Sequence, residues 1–450
     1  QYVRKLACFL DCRSTKDLPR CEPIPFSIPR KLAKRRVRPD LNGKPSRRRD
    51  PTGGKRDMST LRQLRKFWML WVAMIALACS SNAFAQTSYK IADQGTLGDD
   101  NFGMVMGLNQ QGWTQNMDGE GNQPVLSLSA GVLSGRAVMN IDGHNIDLGT
   151  LGGKNSWTNY GGINDRGDNV GFAETSVPDP DGEDFCGFGT HLTCRGFLWR
   201  HGQMTALPTL GGNNAQAAAI NDRGQIVGIS ETAVQDPSCP PGKTAKTIAP
   251  VLWERGEARA LPTLPGEPDG FVQGINNEGQ AVGSTGTCTN ITMHAVLWEN
   301  GAVIQLPDLG VAGGTAYVMN DRGQAVGYVP TADGTTVVAS IWQIDRVTGH
   351  IEVKTLPILP GDDVAFATGI NNRGQVVGST LKSGEWSHGF IGQEGVVTDL
   401  NTLIPHDSNL FIVAASNIND RGQISGMATV MSGPDAGKVH AILLTPVDER

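Results

Sequence analysis

A short phrase recurs six times along this chain of 450 residues. It reads GGINDRGDNVG from Gly161, AAINDRGQIVG from Ala218, QGINNEGQAVG from Gln273, YVMNDRGQAVG from Tyr317, TGINNRGQVVG from Thr368 and SNINDRGQISG from Ser416. A decayed first copy, MGLNQQGWTQ, starts at Met106. The repeat asparagines Asn109, Asn164, Asn221, Asn276, Asn320, Asn371 and Asn419 stand 55, 57, 55, 44, 51 and 48 residues apart. Self-similarity at this period marks repeated supersecondary units that must pack on their neighbours to bury their apolar faces. Most residues here therefore record scaffold rather than chemistry.

Each unit has the same internal order. An apolar-Asn pair precedes a turn such as Asp222-Arg223-Gly224, and a β-branched stretch, Ile226-Val227-Gly228, follows. After a variable loop come a strand ending in Trp (Trp199, Trp253, Trp298, Trp342) and a last strand with a Leu-Pro phrase, as at Leu207-Pro208 and Leu261-Pro262. Asn or Asp before x-Gly is hairpin chemistry, because Gly takes positive φ without steric cost. Short apolar runs bounded by Gly are strands. Four strands per unit predict an all-β chain, a β-propeller of seven four-stranded blades. The segment from Tyr89 to Leu97 resembles the last strand of a unit, and the final unit lacks one, so the N-terminal strand is expected to close the last blade. An open β-solenoid is the competing architecture. The recurring tryptophans, and His294, His388 and His440 at one strand start, read as packing between units.

Charge divides the chain. Residues 1–57 carry 17 Lys/Arg against 6 Asp/Glu, whereas residues 86–450 carry 19 against 38. An acidic body argues against nucleic acid as partner, since phosphate binding requires Lys and Arg. From Met58 the text is a secretion signal. Arg62, Arg65 and Lys66 precede an apolar run from Phe67 to Ala78, and Ala83-Phe84-Ala85 forms a cleavage site before Gln86. The run is short for a membrane span, so none is expected after signal removal. The organisation is thus 1–57 as upstream translation or a disordered basic extension, 58–85 as signal peptide and 86–450 as repeats. A lipoprotein signal ending at Cys79 is the alternative. The mature part keeps Cys186, Cys194, Cys239 and Cys288. An even count in an exported chain reads as two disulfides, with 186–194 and 239–288 the favoured pairing.

At these residues the chain resembles the HAF repeat family of exported bacterial proteins. The naming triplet stands here as His294-Ala295-Val296, His388-Gly389-Phe390 and His440-Ala441-Ile442, with Arg195-Gly196-Phe197 more distant, and the L-G-T-L-G-G phrase from Leu148 to Gly153 also matches. The resemblance spans Tyr89 to Pro446. It implies a secreted or periplasmic, repeat-built protein, and it brings no catalytic residues.

Residues that break the repeat carry the functional expectations. Asp179, Asp181, Glu183 and Asp184 surround Gly182 and offer hard oxygens, so calcium is the one cofactor considered. Insertions at Thr175–Thr193, Ala233–Lys246 and Thr285–Thr292 follow the same strand of their units and should share one face, where binding loops live. Trp157, Tyr160 and Trp386 lie off the pattern and are expected to contact ligand. The leading expectation is a non-enzymatic module that binds an extracellular protein or polysaccharide. A propeller-type lyase or hydrolase of polysaccharide and a purely structural protein are the alternatives, because the fold serves all three.

Overall fold

The computed structural model describes residues 87–96, 102–119, 134–239, 245–288 and 293–447. The basic head and the signal segment lie outside them. The regular elements of the described chain are all strands, save one 3₁₀ turn at Leu400–Thr402. Antiparallel pairing groups its 28 strands into four-stranded units. These are blades 1 (102–147), 2 (152–206), 3 (211–260), 4 (269–305), 5 (315–355) and 6 (364–399). Blade 7 combines Leu410–Ile418, Ile424–Val430 and Val439–Pro446 with the N-terminal strand Tyr89–Gly95. Tyr89 pairs with Pro446 and Ala92 with Leu443, so the ends of the repeat region share one sheet. The fold is a β-propeller, and this shared sheet blunts the edges that a linear stack would expose.

The glycine that ends each repeat phrase has a specific job. In blades 2 to 7 it is Gly171, Gly228, Gly283, Gly327, Gly378 and Gly426, on the second strand. A Cβ at any of the six would lie well under 3.0 Å from a carbonyl oxygen of the first strand, such as Phe271 O for Gly283. The first strand bulges there, as the register shifts between Val272 and Gly274 and between Ala367 and Gly369. Bulges bend strands and re-aim side chains.

Apolar clusters knit successive blades. Val227 and Leu252 of blade 3 pack with Val272, Val296 and Trp298 of blade 4. Three of the four repeat tryptophans anchor this packing by donating their indole N–H across the boundary. Trp253 reaches Pro208 O at 2.7 Å, Trp298 reaches Pro262 O at 2.6 Å and Trp342 reaches Pro307 O at 2.8 Å. A buried indole thereby finds the acceptor it requires.

Candidate functional site

At one end of the first strands the repeat asparagines form a closed hydrogen-bonded circle. Each Nδ2 donates to the backbone carbonyl of the equivalent asparagine in the next blade, from Asn109 through Asn164, Asn221, Asn276, Asn320, Asn371 and Asn419 and back to Asn109, at 2.9–3.2 Å. Each Oδ1 also accepts N–H groups of its own turn, as Asn276 does from Glu278 and Gln280. The following residues form a second circle. Their side-chain oxygens accept the backbone N–H of the preceding blade at 2.7–3.0 Å, through Gln110, Asp165, Asp222, Asn277, Asp321, Asn372 and Asp420. These circles line a cavity of about 170 Å³. Burial pushes the Asp165 carboxyl up, and the charges of Asp222 and Asp420 add to it. The turn role expected for the repeat asparagines is real, and a second role, clasping neighbouring blades, accompanies it.

The insertions emerge at the opposite end of the first strands. Cys186 is bonded to Cys194 within blade 2, and Cys239 to Cys288 across blades 3 and 4. Polar contacts continue the wall. Asn214 Nδ2 donates to Asp179 at 2.8 Å, Asn213 Nδ2 to Asp181 at 2.7 Å, and Lys246 also pairs with Asp181. Asp179 further accepts the N–H groups of Asp181 and Glu183, and Asp184 accepts that of Gly189. Three of the four carboxylates considered for calcium, Asp179, Asp181 and Asp184, thus face separate protein partners. Among the described residues, the one His/Cys/Asp/Glu group with ligand atoms within 4.8 Å of one another is Asp236, Cys239 and Cys288, and both of its sulfurs belong to the disulfide.

Glu231, absent from the sequence expectations, is the buried hinge of this wall at 2% exposure. Its Oε2 accepts Asn213 N, Asn214 N and Asn214 Nδ2 at 3.0–3.1 Å. Burial, then a hydrogen bond with Glu183 and the Glu183 charge, raise its pKa to about 8 against the pull of Lys246 and Asn214. A carboxyl whose pKa rises on folding binds its proton more tightly in the native state. Its contribution is therefore greatest below the ordinary Glu range near pH 4.5 and is lost as pH climbs through about 8. Glu231→Gln mimics the protonated form. It is expected to raise the melting temperature at pH 8 and to flatten the decline between pH 5 and 8. An unchanged pH profile of melting would contradict this.

The aromatic candidates divide. Trp157 is 8% exposed and stacks on Phe172, which meets Phe188 of the blade 2 insertion, so it supports that loop from below. Tyr160 and Trp386 join one series of rings. It runs Tyr160, Tyr317, Tyr328, Phe366, Trp386 with centroids 5.3–6.3 Å apart. Blade 2 carries a wider irregularity than the other blades, between Thr158 and Ile163, and this brings Tyr160 of blade 2 to Tyr317 of blade 5. Burial pushes the Tyr160 phenol up to about 12, so it stays neutral. Trp386 opens the Glu385–Gln393 strand and Phe411 lies near the start of Leu410–Ile418, which places both at the insertion-bearing end. Met104, Trp386 and Phe411 are half-buried there over a common apolar cluster. Tyr317, the first residue of the fourth full repeat copy, and Phe411 were not among the sequence expectations.

The triplet histidines each hold a carboxylate from the segment preceding a first strand. His388 meets Asp362 at 2.9 Å, His440 meets Asp93 at 2.9 Å, and His294 meets Glu267. Burial raises the Asp362 carboxyl, but bonds from Thr380, His388 and Ser387 outweigh it and hold it below its usual range. Ser387 beside His388 and Asp362 gives the composition of a nucleophile triad. Both partners, however, meet Nδ1 of the histidine, whereas a proton relay needs one on each nitrogen. The same pair in three blades is a fastening.

The chain matches no described protein family and no curated protein. Solved structures similar to it include a streptogramin B lyase (TM-score 0.42, 10% identity, 80% of this chain and 98% of the other). A gluconolactonase from Xanthomonas campestris gives 0.38, 11%, 81% and 93% for the same quantities. The β-propeller domain of the Trilobed protease from Pyrococcus furiosus gives 0.41, 11%, 65% and 79%.

Proposed function

We propose that this chain is an exported HAF-type repeat propeller that binds an extracellular polysaccharide, without catalysis, on its insertion-bearing face. The observation that carries the reading is the set of half-buried rings there, Trp386 and Phe411 at the rim with Tyr160 and Tyr317 beneath, at positions where the repeat places no aromatic residue. Large apolar rings with polar edges suit the faces of sugar rings. The disulfides and the Asn213, Asn214 and Lys246 contacts hold the surrounding wall in place before binding, which lowers the ordering cost of association. Export is supported by the signal segment and by disulfides suited to an oxidising compartment.

Titration of the full chain with a panel of neutral and acidic polysaccharides tests the reading. Binding is expected, and Trp386→Ala should weaken it about two- to tenfold, the range for one aromatic stack. Failure to bind any polysaccharide, with capture of a peptide partner instead, would replace the polysaccharide with a protein ligand.

A further inference from the structure

Six of the blade boundaries have an apolar cluster of their own. Blades 1 and 2 share Met139, Ile163 and Phe197, blades 2 and 3 share Val170, Ala217 and Ile226, and blades 3 and 4 share Val227, Val272 and Trp298. Blades 4 and 5 share Val282, Ala325 and Trp342, blades 5 and 6 share Val326, Ala367 and Phe390, and blades 6 and 7 share Val377, Ile412 and Ile424. The boundary between blades 7 and 1 has none among the described residues. Only the rim cluster reaches it, through Phe102 and Met117 on one side and Met427 and Val439 on the other.

Polar residues stand where the other boundaries place valine and glycine. The second-strand residue facing the next blade is valine in blades 2 to 6 (Val170, Val227, Val282, Val326 and Val377), and in blade 7 it is Ser425. Ile424 packs toward blade 6, so alternation turns Ser425 toward blade 1. Blade 1 answers with Thr114, Asn116 and Asp118, where Asn116 replaces the glycine of the repeat phrase. Thr114 Oγ1 donates to Gln94 Oε1 of the N-terminal strand at 2.9 Å, a bond that crosses the seam from blade 1 to the sheet of blade 7. Asn116 is 1% and Ser425 0% exposed, and Asn116 Oδ1, Asn116 Nδ2 and Ser425 Oγ have no hydrogen-bond partner among the described residues. Leaving buried polar atoms unpaired forfeits their hydration without return.

We propose that the ring parts first at the seam between blades 7 and 1, and that Asn116 and Ser425 make this seam the hinge of the propeller. The N-terminal strand stays with blade 7, to which it is paired over Tyr89–Gly95. Parting therefore separates it and Val439–Pro446 from Phe102–Leu108 and Thr114–Gly119. The ties that must yield are the Phe102–Val439 bridge, the bonds of Gln94 with Thr114, Asn140 and Asn145, and the closing bonds from Asn419 to Asn109 and from Asp420 to Gln110. The half-buried Met104 and Phe411 belong to the two blades that flank this seam, so parting would widen the rim. The inference does not depend on the ligand.

Native-state hydrogen exchange on the full chain, read by mass spectrometry, tests it. Amides of Phe102–Leu108 and Thr114–Gly119 should exchange about tenfold or more faster than those of Asp269–Ile275 and Ala281–Gly286 in blade 4. The double variant Asn116→Gly, Ser425→Val, which installs the residues of the other boundaries, should slow the seam amides by about tenfold and leave blade 4 unchanged. Seam amides as protected as blade 4 in the unmodified chain would overturn the proposal. So would a double variant that folds but exchanges no more slowly.

Discussion

Gly283→Ala is expected to prevent folding, or to lower stability by more than about 4 kcal/mol, the range reserved for gross steric conflict. The added methyl would lie against Phe271 O and the Val272 Cα. Both are backbone atoms of the paired first strand, so neither can rotate away as a side chain would. The comparison variant is Gly301→Ala. Gly301 has φ +79° in an exposed turn with nothing within 4 Å of the added carbon. Its cost is one strained φ, about 1 kcal/mol. Exported yield and thermal melting of the two variants should separate widely. Equal behaviour would mean that the close approach of the two strands is not what fixes glycine at this step of the repeat.

Asn276→Ala should carry the second largest cost, about 2–4 kcal/mol, because it removes four hydrogen bonds, three of them buried, and leaves groups of two blades unsatisfied. Its Oδ1 accepts Glu278 N and Gln280 N, and its Nδ2 donates to Gln280 Oε1 and to Asn320 O in the next blade. Asn276→Asp keeps the acceptor and loses the donor, so it should fall between alanine and the native residue. Denaturant unfolding measures all three. A loss under about 1 kcal/mol for alanine would show that the circle adds little beyond the turn.

The strands, the hairpin turns, the closing N-terminal strand and the two disulfides were legible because each is written locally and repeated. Asp or Asn before x-Gly declares its turn within four residues, and the paired cysteines fall in insertions that share one end of the blades. The asparagine circle was not legible. Its bonds join residues 44–57 positions apart, and the closing one spans 310, so no local pattern reports them. Trp157 illustrates a different failure. It lies off the repeat and so resembles a ligand contact, yet Phe172 stacks on it and Phe188, from the insertion expected to bear ligand contacts, packs on Phe172. Tyr317 occupies an ordinary repeat position, and only the irregularity at Tyr160 in the blade opposite reveals why an aromatic stands there. Nothing in the local sequence singles out Glu231 as a buried carboxyl. Its burial depends on a loop from the neighbouring blade.

The proposed function places the ligand on the rings of the insertion-bearing face and not on the turn-bearing face with its asparagine circle. The direct measurement is the affinity of one binding polysaccharide for two double variants of matched stability. Trp386→Ala with Phe411→Ala strips the insertion-bearing face, while Arg223→Ala with Arg373→Ala removes two exposed side chains beside the asparagine circle. A loss of about tenfold or more is expected for the first pair and native affinity for the second. Native affinity for the first pair with loss for the second would contradict it.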